Sequence, residues 1–308
     1  MARRRRGQPV HGWVILDKPC GISSAQAVAT VRRVFDAAKA GHAGTLDPLA
    51  TGVLPVALGE ATKTVPYVMD ATKDYQFTIH WGEARSTDDR EGTVTATSET
   101  RPDAEAIRSA IRSFVGEILQ IPPIYSAVKV DGERAYDLAR SGEAVDLEPR
   151  RIEILAFDLV ETIDADHARF RVSSGKGAYM RALARDLAES LGTVGHIMDL
   201  RRLRVGPFAQ EQAISLDSLA GLMHNPAALE HLRPVETALD GIPALALSGP
   251  EAMTLRNGQG VPVFRASDRE RFGHLRDGDT VYAMEGGTPV AIARIDGGAI
   301  RPVRVLNL

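Results

Sequence analysis

The chain has 308 residues, 44% hydrophobic and 25% charged, which fits a globular protein with a large core and a smaller second domain. No run approaches the roughly 18 apolar residues of a membrane span, and the single cysteine, Cys20, excludes both an internal disulfide and a thiol-based zinc site. Net charge is -3, yet residues 1–73 hold ten Lys and Arg against five Asp and Glu, a local excess of +5 that fits a polyanionic ligand.

The opening block MARRRRGQPVHG is charged but lacks the apolar stretch of a secretion signal, so the expected compartment is the cytosol. Its Arg3, Arg4, Arg5 and Arg6 fit either contact with an RNA backbone or a solvated tail. In GWVILDKPCG, residues 13–16 predict a short buried strand that ends in a turn at Lys18, Pro19 and Gly21. Ser23 and Gln26 form a capping-box pattern. Val28, Val31, Val34, Phe35 and Ala38 then recur at helical spacing, with Gly41 as the expected C-cap.

Residues 41–52, GHAGTLDPLATG, then read as a loop carrying one carboxylate, Asp47. Pro48 disfavours helical backbone at Asp47, while Gly44 and Gly52 permit positive φ or close approach of another segment. An acid before proline is ordinarily a turn residue, so the stretch poses the question of turn or reagent.

KDYQFTIHWG alternates: Tyr75, Phe77, Ile79 and Trp81 face one way, Gln76, Thr78 and His80 the other, as in a half-buried strand. EGTVTAT is strand-like, and residues 103–116 predict an amphipathic helix with Ile107, Ala110, Ile111, Phe114 and Val115 inward. SAVKVDGERAYDLARSG reads as a strand, a turn at Asp131 and Gly132, and a helix. RRIEILAFDLVETI and HARFRVSS are two further strands, and GAYMRALARDLAESLG is the clearest helix. Strands and helices mix without a repeating βα unit, which favours an α+β fold.

Composition shifts near residues 240–250, where DGIPALALSGP marks a boundary. The expected organisation is a basic arm at 1–10, a main domain at 11–243 and a β-rich module at 244–308, for which a small barrel is the natural expectation.

Several stock chemistries fail. GEATKT has a Lys-Thr pair without the preceding glycine of a P-loop, no H-E-x-x-H occurs, and the eight histidines are scattered without metal-ligand spacing. Leu49 stands where a phosphoaspartyl hydrolase would carry a second Asp, and no G-x-S-x-G elbow is present. No metal and no cofactor are expected. A lone carboxylate can still act as nucleophile or base if a cation orients it and water is excluded. Arg181 shares the inner face of its helix with Ala184 and Ala188, and its fork suits a bidentate carboxylate contact. Periodicity leaves a structural salt bridge and a catalytic pair both open, and favours the first.

GHAGTLDPLATGVLPVALGEATK, with ILDKPCGISS, KDYQFTIHWG and GKGAYMRALARDLAESLG, closely resembles the bacterial tRNA pseudouridine synthase B family over about residues 13–204. The tail resembles that family's PUA-like RNA-binding domain more loosely. The resemblance implies a pseudouridine synthase fold: a mixed, largely antiparallel sheet flanked by helices, with a small C-terminal β-rich domain. It implies isomerisation of uridine 55 in the T-loop of tRNA, without cofactor, on a flipped-out base.

By the same resemblance, Asp47 matches the essential aspartate, held dry and ionised against the ribose, and Arg181 the arginine paired with it. Tyr75 matches the tyrosine that stacks on the target uracil, and His42 a histidine contacting the T-loop. Tyr179 and Leu200 fall where the uridine pocket is lined, and Lys18 and Lys63 complete the expected RNA-binding set. Lys18 and Pro19 match a motif packed beside the catalytic loop, a role more structural than chemical. Asp47 attacks C1′ to form an acyl ester or assists removal of the C2′ proton to form a glycal, two routes left open here. Periodicity alone makes Tyr75, Tyr179 and Leu200 core residues. The alternative function is a non-catalytic tRNA-binding or folding module. The expected partner is the tRNA T-arm, with no membrane, no obligate protein partner and a monomeric chain.

Overall fold

The computed structural model describes residues 7–126, 128–130, 133–134, 138, 146–263 and 275–308. The four arginines of the N-terminal arm, the expected Asp131 and Gly132 turn, and the helix expected after it lie outside the described residues.

An eleven-stranded mixed sheet organises the chain. Its path runs β14 (Ile214–Ser215), β1 (Gly12–Lys18), β3 (Thr51–Leu58), β12 (Gly195–Val205), β4 (Lys73–Trp81), β11 (His167–Ser174), β10 (Arg150–Thr162) and β7 (Gly116–Gln120). Three short strands pair beside it: β2 (Ala40–His42) on β3, β13 (Phe208–Ala209) on β12 and β15 (Leu232–Arg233) on β1. Within this sheet, among the described residues, only the β1–β14 and β3–β12 pairs are parallel. The described helices are α1 (Ser24–Val34), α2 (Val65–Asp70), α3 (Ala104–Ala110), α4 (Met180–Ser190), α5 (Leu216–Gly221) and α6 (Gly249–Arg256). The architecture is α+β, and two hairpins stand off the sheet: β5 (Glu83–Arg85) with β6 (Val94–Thr97), and β8 (Lys129–Val130) with β9 (Glu133–Arg134).

β1 reads as an unbroken apolar run because both its faces are covered. Val14 and Leu16 join the main core with α1 and α4, while Trp13 and Ile15 join a second core with Val53, Ala57 and Phe208. On β4 the expected alternation holds: Tyr75, Phe77, Ile79 and Trp81 all belong to the main core. β12 lies between β3 and β4, and its position carries one residue pair that matters below, His196 opposite His80.

α1 begins as expected, with Ser23 and Gln26 exchanging both capping-box contacts, an arrangement worth about 1 kcal/mol. It ends sooner than the periodicity suggests. Phe35 is the C-cap, Asp36 turns the chain at φ +44°, and Gly41 sits inside β2, paired with Ala57. Gly41 is therefore not a helix cap, because pairing with β3 recruits residues 40–42 into the sheet. The helix expected over 103–116 is likewise shorter: α3 stops at Ala110, a 3-10 turn covers Ile111–Phe114, and Val115 is exposed rather than inward.

The C-terminal segment builds a separate five-stranded sheet, in the order β16 (Ala244–Ala246), β18 (Thr280–Glu285), β19 (Thr288–Asp296), β20 (Ala299–Val305) and β17 (Val261–Pro262). α6 contributes Ala252 and Leu255 to its own apolar core. Among the described residues the pairing runs from edge to edge and does not close the small barrel that was expected. The chain end returns to the main sheet, where Leu306 is buried in the core that holds Trp13.

Candidate active site

The loop after β2 is tied down along its length. Ala43 N–H donates to the Pro55 carbonyl at 3.0 Å. The buried Ser24 hydroxyl accepts from Leu46 N at 2.8 Å and donates to Leu46 O at 2.9 Å, so α1 grips one loop residue by both backbone groups. The Pro48 carbonyl accepts from Gly21 N at 2.8 Å and from Lys18 Nζ at 3.3 Å. Ala50 N donates to Asp47 O at 3.0 Å, closing a turn over Pro48. Asp47 is thus a turn residue by its backbone, while its side chain projects from a fixed frame and stays 36% exposed.

Arg202 fastens the same loop from below. Its guanidinium, fully buried, donates to Val53 O at 2.8 Å, Gly44 O at 3.0 Å and Thr45 O at 3.4 Å. Gly52 allows this approach: at φ +99° its α-hydrogen side faces the Arg202 carbonyl, where a Cβ would lie 2.2 Å from the oxygen. Burial lowers the Arg202 pKa, and the Tyr75 hydroxyl and the Asp47 carboxylate oppose that shift. Tyr75 and Arg202 are register partners on β4 and β12. One buried cation therefore faces both the aromatic ring and the acid.

Arg181, at the second position of α4, is only 4% exposed, as the inward helix face predicts. Its Nε lies 2.9 Å from Asp47 Oδ2 and 3.7 Å from Asp89 Oδ2. The nearer contact is off the N–H axis, so it is an ion pair without a well-directed hydrogen bond. The expected bidentate fork does not form on Asp47, because the two terminal nitrogens donate at 2.8 Å to the Thr87 and Tyr125 carbonyls. Asp89, also buried, is itself held by Thr87 Oγ1 at 2.5 Å and Glu91 N at 3.0 Å. Arg181 is locked by backbone and buried acid, which leaves the Asp47 carboxylate paired yet reachable. The expectation of a dry carboxylate is met on one side only: this open edge is where a substrate could enter.

Residues 32–180 match the family described as "TruB family pseudouridylate synthase (N terminal domain)", and residues 181–240 match "tRNA pseudouridylate synthase B C-terminal domain". The protein named tRNA pseudouridine synthase B in Rhodospirillum rubrum is 56% identical over 308 residues, with all of both chains covered. This chain belongs to the TruB family. The protein of the same name in Caulobacter vibrioides is 51% identical over 309 residues, again covering all of both chains. In fold, the chain is similar to one in a solved H/ACA RNP bound to a substrate RNA containing 2′-deoxyuridine, with TM-score 0.74, 23% identity, and coverage of 100% of this chain and 92% of that one. It is also similar to a chain of a Cbf5-Nop10-Gar1 complex, with TM-score 0.72, 25% identity, and coverage of 96% and 85%.

Other residues singled out from the TruB resemblance fall into two groups. Leu200 is buried opposite Phe77, and Tyr179, whose ring packs on Val128 and Leu147, stands two residues before Arg181. Burial raises the Tyr179 pKa, and the nearby Asp47 charge acts in the same direction. Gln120 holds Tyr179 through both backbone groups, accepting from its N at 2.9 Å and donating to its O at 3.1 Å. His42 is half-buried on β2, and burial followed by the Arg202 charge lowers its pKa.

The two lysines are different. Lys18 Nζ is enclosed, donating at 2.8 Å to the Pro19 and Ile22 carbonyls besides Pro48, and burial lowers its pKa to about 8. It positions the loop and is withdrawn from any phosphate. Lys63 Nζ pairs with Glu60 at 2.5 Å and donates to Val305 O at 2.7 Å, tying the main sheet to the C-terminal one. Both ammonium groups are already engaged within the chain, Lys18 by three carbonyl oxygens and Lys63 by one carboxylate and one carbonyl, which departs from the expected RNA-binding role. Lys73, buried and bonded to Met69 O and Ala71 O, is a third front-half cation turned inward.

Sequence reasoning missed Arg202, Asp89, Ser24 and Gln120. Asp89 had a faint signal, an Asp-Asp pair after a strand. Arg202 had none, since DLRRLRV presents four arginine and aspartate groups with no mark of the buried one.

Proposed function

We propose that this chain isomerises uridine 55 of the tRNA T-loop to pseudouridine, with Asp47 as the reacting carboxylate, Arg181 as its counter-ion and Tyr75 as the surface on which the flipped base stacks. The observation that carries this reading is the ion pair of Asp47 with a buried, backbone-locked Arg181, on a loop held by Ser24, Lys18 and Arg202. Membership of the TruB family supplies the reaction class and the tRNA substrate.

The reaction breaks the C1′–N1 bond, turns the uracil and joins C1′ to C5, with the C5 proton released and N1 taking one up. Oxidation state does not change. Arg181 holds Asp47 in place at 2.9 Å, so the carboxylate is available either to bond to C1′ or to accept the C2′ proton. Rigid backbone at residues 43–50 limits the reorganisation needed when the nucleotide arrives. Tyr75 offers a flat face beside the apolar Leu200, which would exclude water once a base fills the site. His42 would border the space left in the folded T-loop.

The main unit spans 11–243, and the PUA-like unit, 244–308, adds RNA contacts; the separate sheet and core that begin at Ala244 support this division. The same reading takes the chain to act as a monomer in the cytosol; among the described residues no helix is long and apolar enough to cross a membrane. The test is purified protein on unmodified tRNA, with pseudouridine mapped by carbodiimide stops, wild type beside Asp47→Asn. Signal at position 55 from wild type alone is expected. Equal signal from both proteins would end the catalytic reading, and tight binding without signal in either would favour a binding module.

A further inference from the structure

We propose that His80, Glu83 and His196 form a binding site for a divalent transition metal of the zinc class, separate from the Asp47 site. The sequence scatters these residues, but strand pairing collects them. His80 on β4 and His196 on β12 are directly opposed in an antiparallel pair, which puts both side chains on one face of the sheet. Gly82, at φ +91°, then turns the chain so that Glu83 opens β5 beside them. One ligand atom from each residue lies within 4.8 Å of the other two. Tetrahedral coordination places ligand atoms about 3.3 Å apart, so small side-chain rotations would close the set.

The details around the two imidazoles favour a ligand over mere packing. His196 is 1% exposed, and its Nδ1 lies 2.8 Å from the Glu83 carbonyl oxygen. A carbonyl only accepts, so Nδ1 carries the hydrogen and Nε2 keeps its lone pair, the orientation that metal-bound histidines need. The Nδ1 of His80 is buried with no hydrogen-bond partner. Arg85 holds Glu83 Oε2 at 2.8 Å and so orients the carboxylate. The other nearby cation, Arg101, is paired with Asp166 at 2.5 Å.

The rival account is an aromatic stack, since His80 lies 4.7 Å from His167 and 5.1 Å from His196 between ring centroids. Stacking explains the rings but leaves the buried Nδ1 of His80 without a partner. His167 is itself held by Asp164 at 2.9 Å, so water would complete the coordination. His80 sits on the β4 face opposite Tyr75 and about 17 Å along the strand at ~3.4 Å per residue. A metal here would staple β4, β12 and the β5–β6 hairpin, and would take no part in the isomerisation.

The experiment is titration of tag-free, chelator-stripped, full-length protein with Co(II), read by its visible ligand-field bands, and with Zn(II), read by calorimetry. One equivalent should bind with the absorption of a four-coordinate site. Glu83→Gln, at a half-exposed position, and His80→Gln should each weaken binding by at least about tenfold, with circular dichroism and pseudouridine formation unchanged. Zn(II) should raise the Tm of the wild type and not that of His80→Gln. Absence of saturable binding, or equal affinity in wild type and in folded Glu83→Gln, would overturn the proposal.

Discussion

Replacing Arg181 by lysine keeps a positive charge beside Asp47 and removes the geometry that aims it. In the wild type one guanidinium reaches three ways at once: Nε to Asp47 at 2.9 Å, Nη1 to Thr87 O at 2.8 Å and Nη2 to Tyr125 O at 2.8 Å. A single ammonium cannot span those directions. Each hydrogen bond from a charged donor contributes about 1.5–3 kcal/mol, so losing two removes roughly 3–6 kcal/mol of local anchoring. A relaxed lysine regaining one contact leaves a net loss of about 1.5–3 kcal/mol in stability. If some 2–3 kcal/mol of this restraint acts on the carboxylate in the transition state, the rate falls about 30- to 150-fold. Single-turnover kinetics on an unmodified tRNA transcript would give the chemical step, and filter binding would give Kd. The chemical step should carry the loss, with Kd within about threefold of wild type, since Arg181 is buried away from phosphates. A chemical rate within about threefold of wild type, or a loss confined to binding, would refute the positioning argument.

Gly52→Ala should be far more harmful than Gly21→Ala, although both glycines have positive φ. Each substitution costs about 1–2 kcal/mol in backbone strain, but only at Gly52 would Cβ strike backbone, 2.2 Å from Arg202 O, whereas nothing lies within 4 Å at Gly21. Unfolding free energies of the two variants from urea denaturation should differ by more than about 2 kcal/mol, and equal values would remove the close-approach explanation. For His42, burial and then Arg202 hold the folded pKa below 6.5. The unfolded chain therefore takes up the proton first as pH falls, so this contribution to stability is complete above 6.5 and is lost on descending through 6.5 towards the folded value. Between pH 7 and 5 the wild type should lose more stability than His42→Gln by urea denaturation; parallel curves would contradict the assignment.

How far the sequence could be read depended on whether a signal was local. The capping box at Ser23 and Gln26 is complete within four residues, and α1 starts there. The end of α1 depends on β2 pairing with β3, which no helical periodicity reports, and Gly41 was misplaced for that reason. β12 escaped recognition because register shifts between Ile197 and Asp199 and between Arg202 and Arg204 break the alternation that identifies a strand. The two arginines of the site show the same divide. Arg181 was legible because it recurs with Ala184 and Ala188 on a regular helix, whereas Arg202 sits on that irregular strand beside Arg201, which is paired with Asp17.

The amino-acid order by itself determined the α+β class, the family, the lone acid of the 41–52 loop and the inward arginine of α4, because caps, alternation and motif blocks are written within a few neighbouring residues. Tertiary structure alone decided what each charged group meets. Whether an ammonium lies open to phosphate or is already engaged by oxygens of its own chain, as in Lys18 and Lys63, and whether distant histidines become neighbours, is set by strand order and register. Those follow from the burial of the whole chain's apolar surface at once, and no short window of sequence contains them.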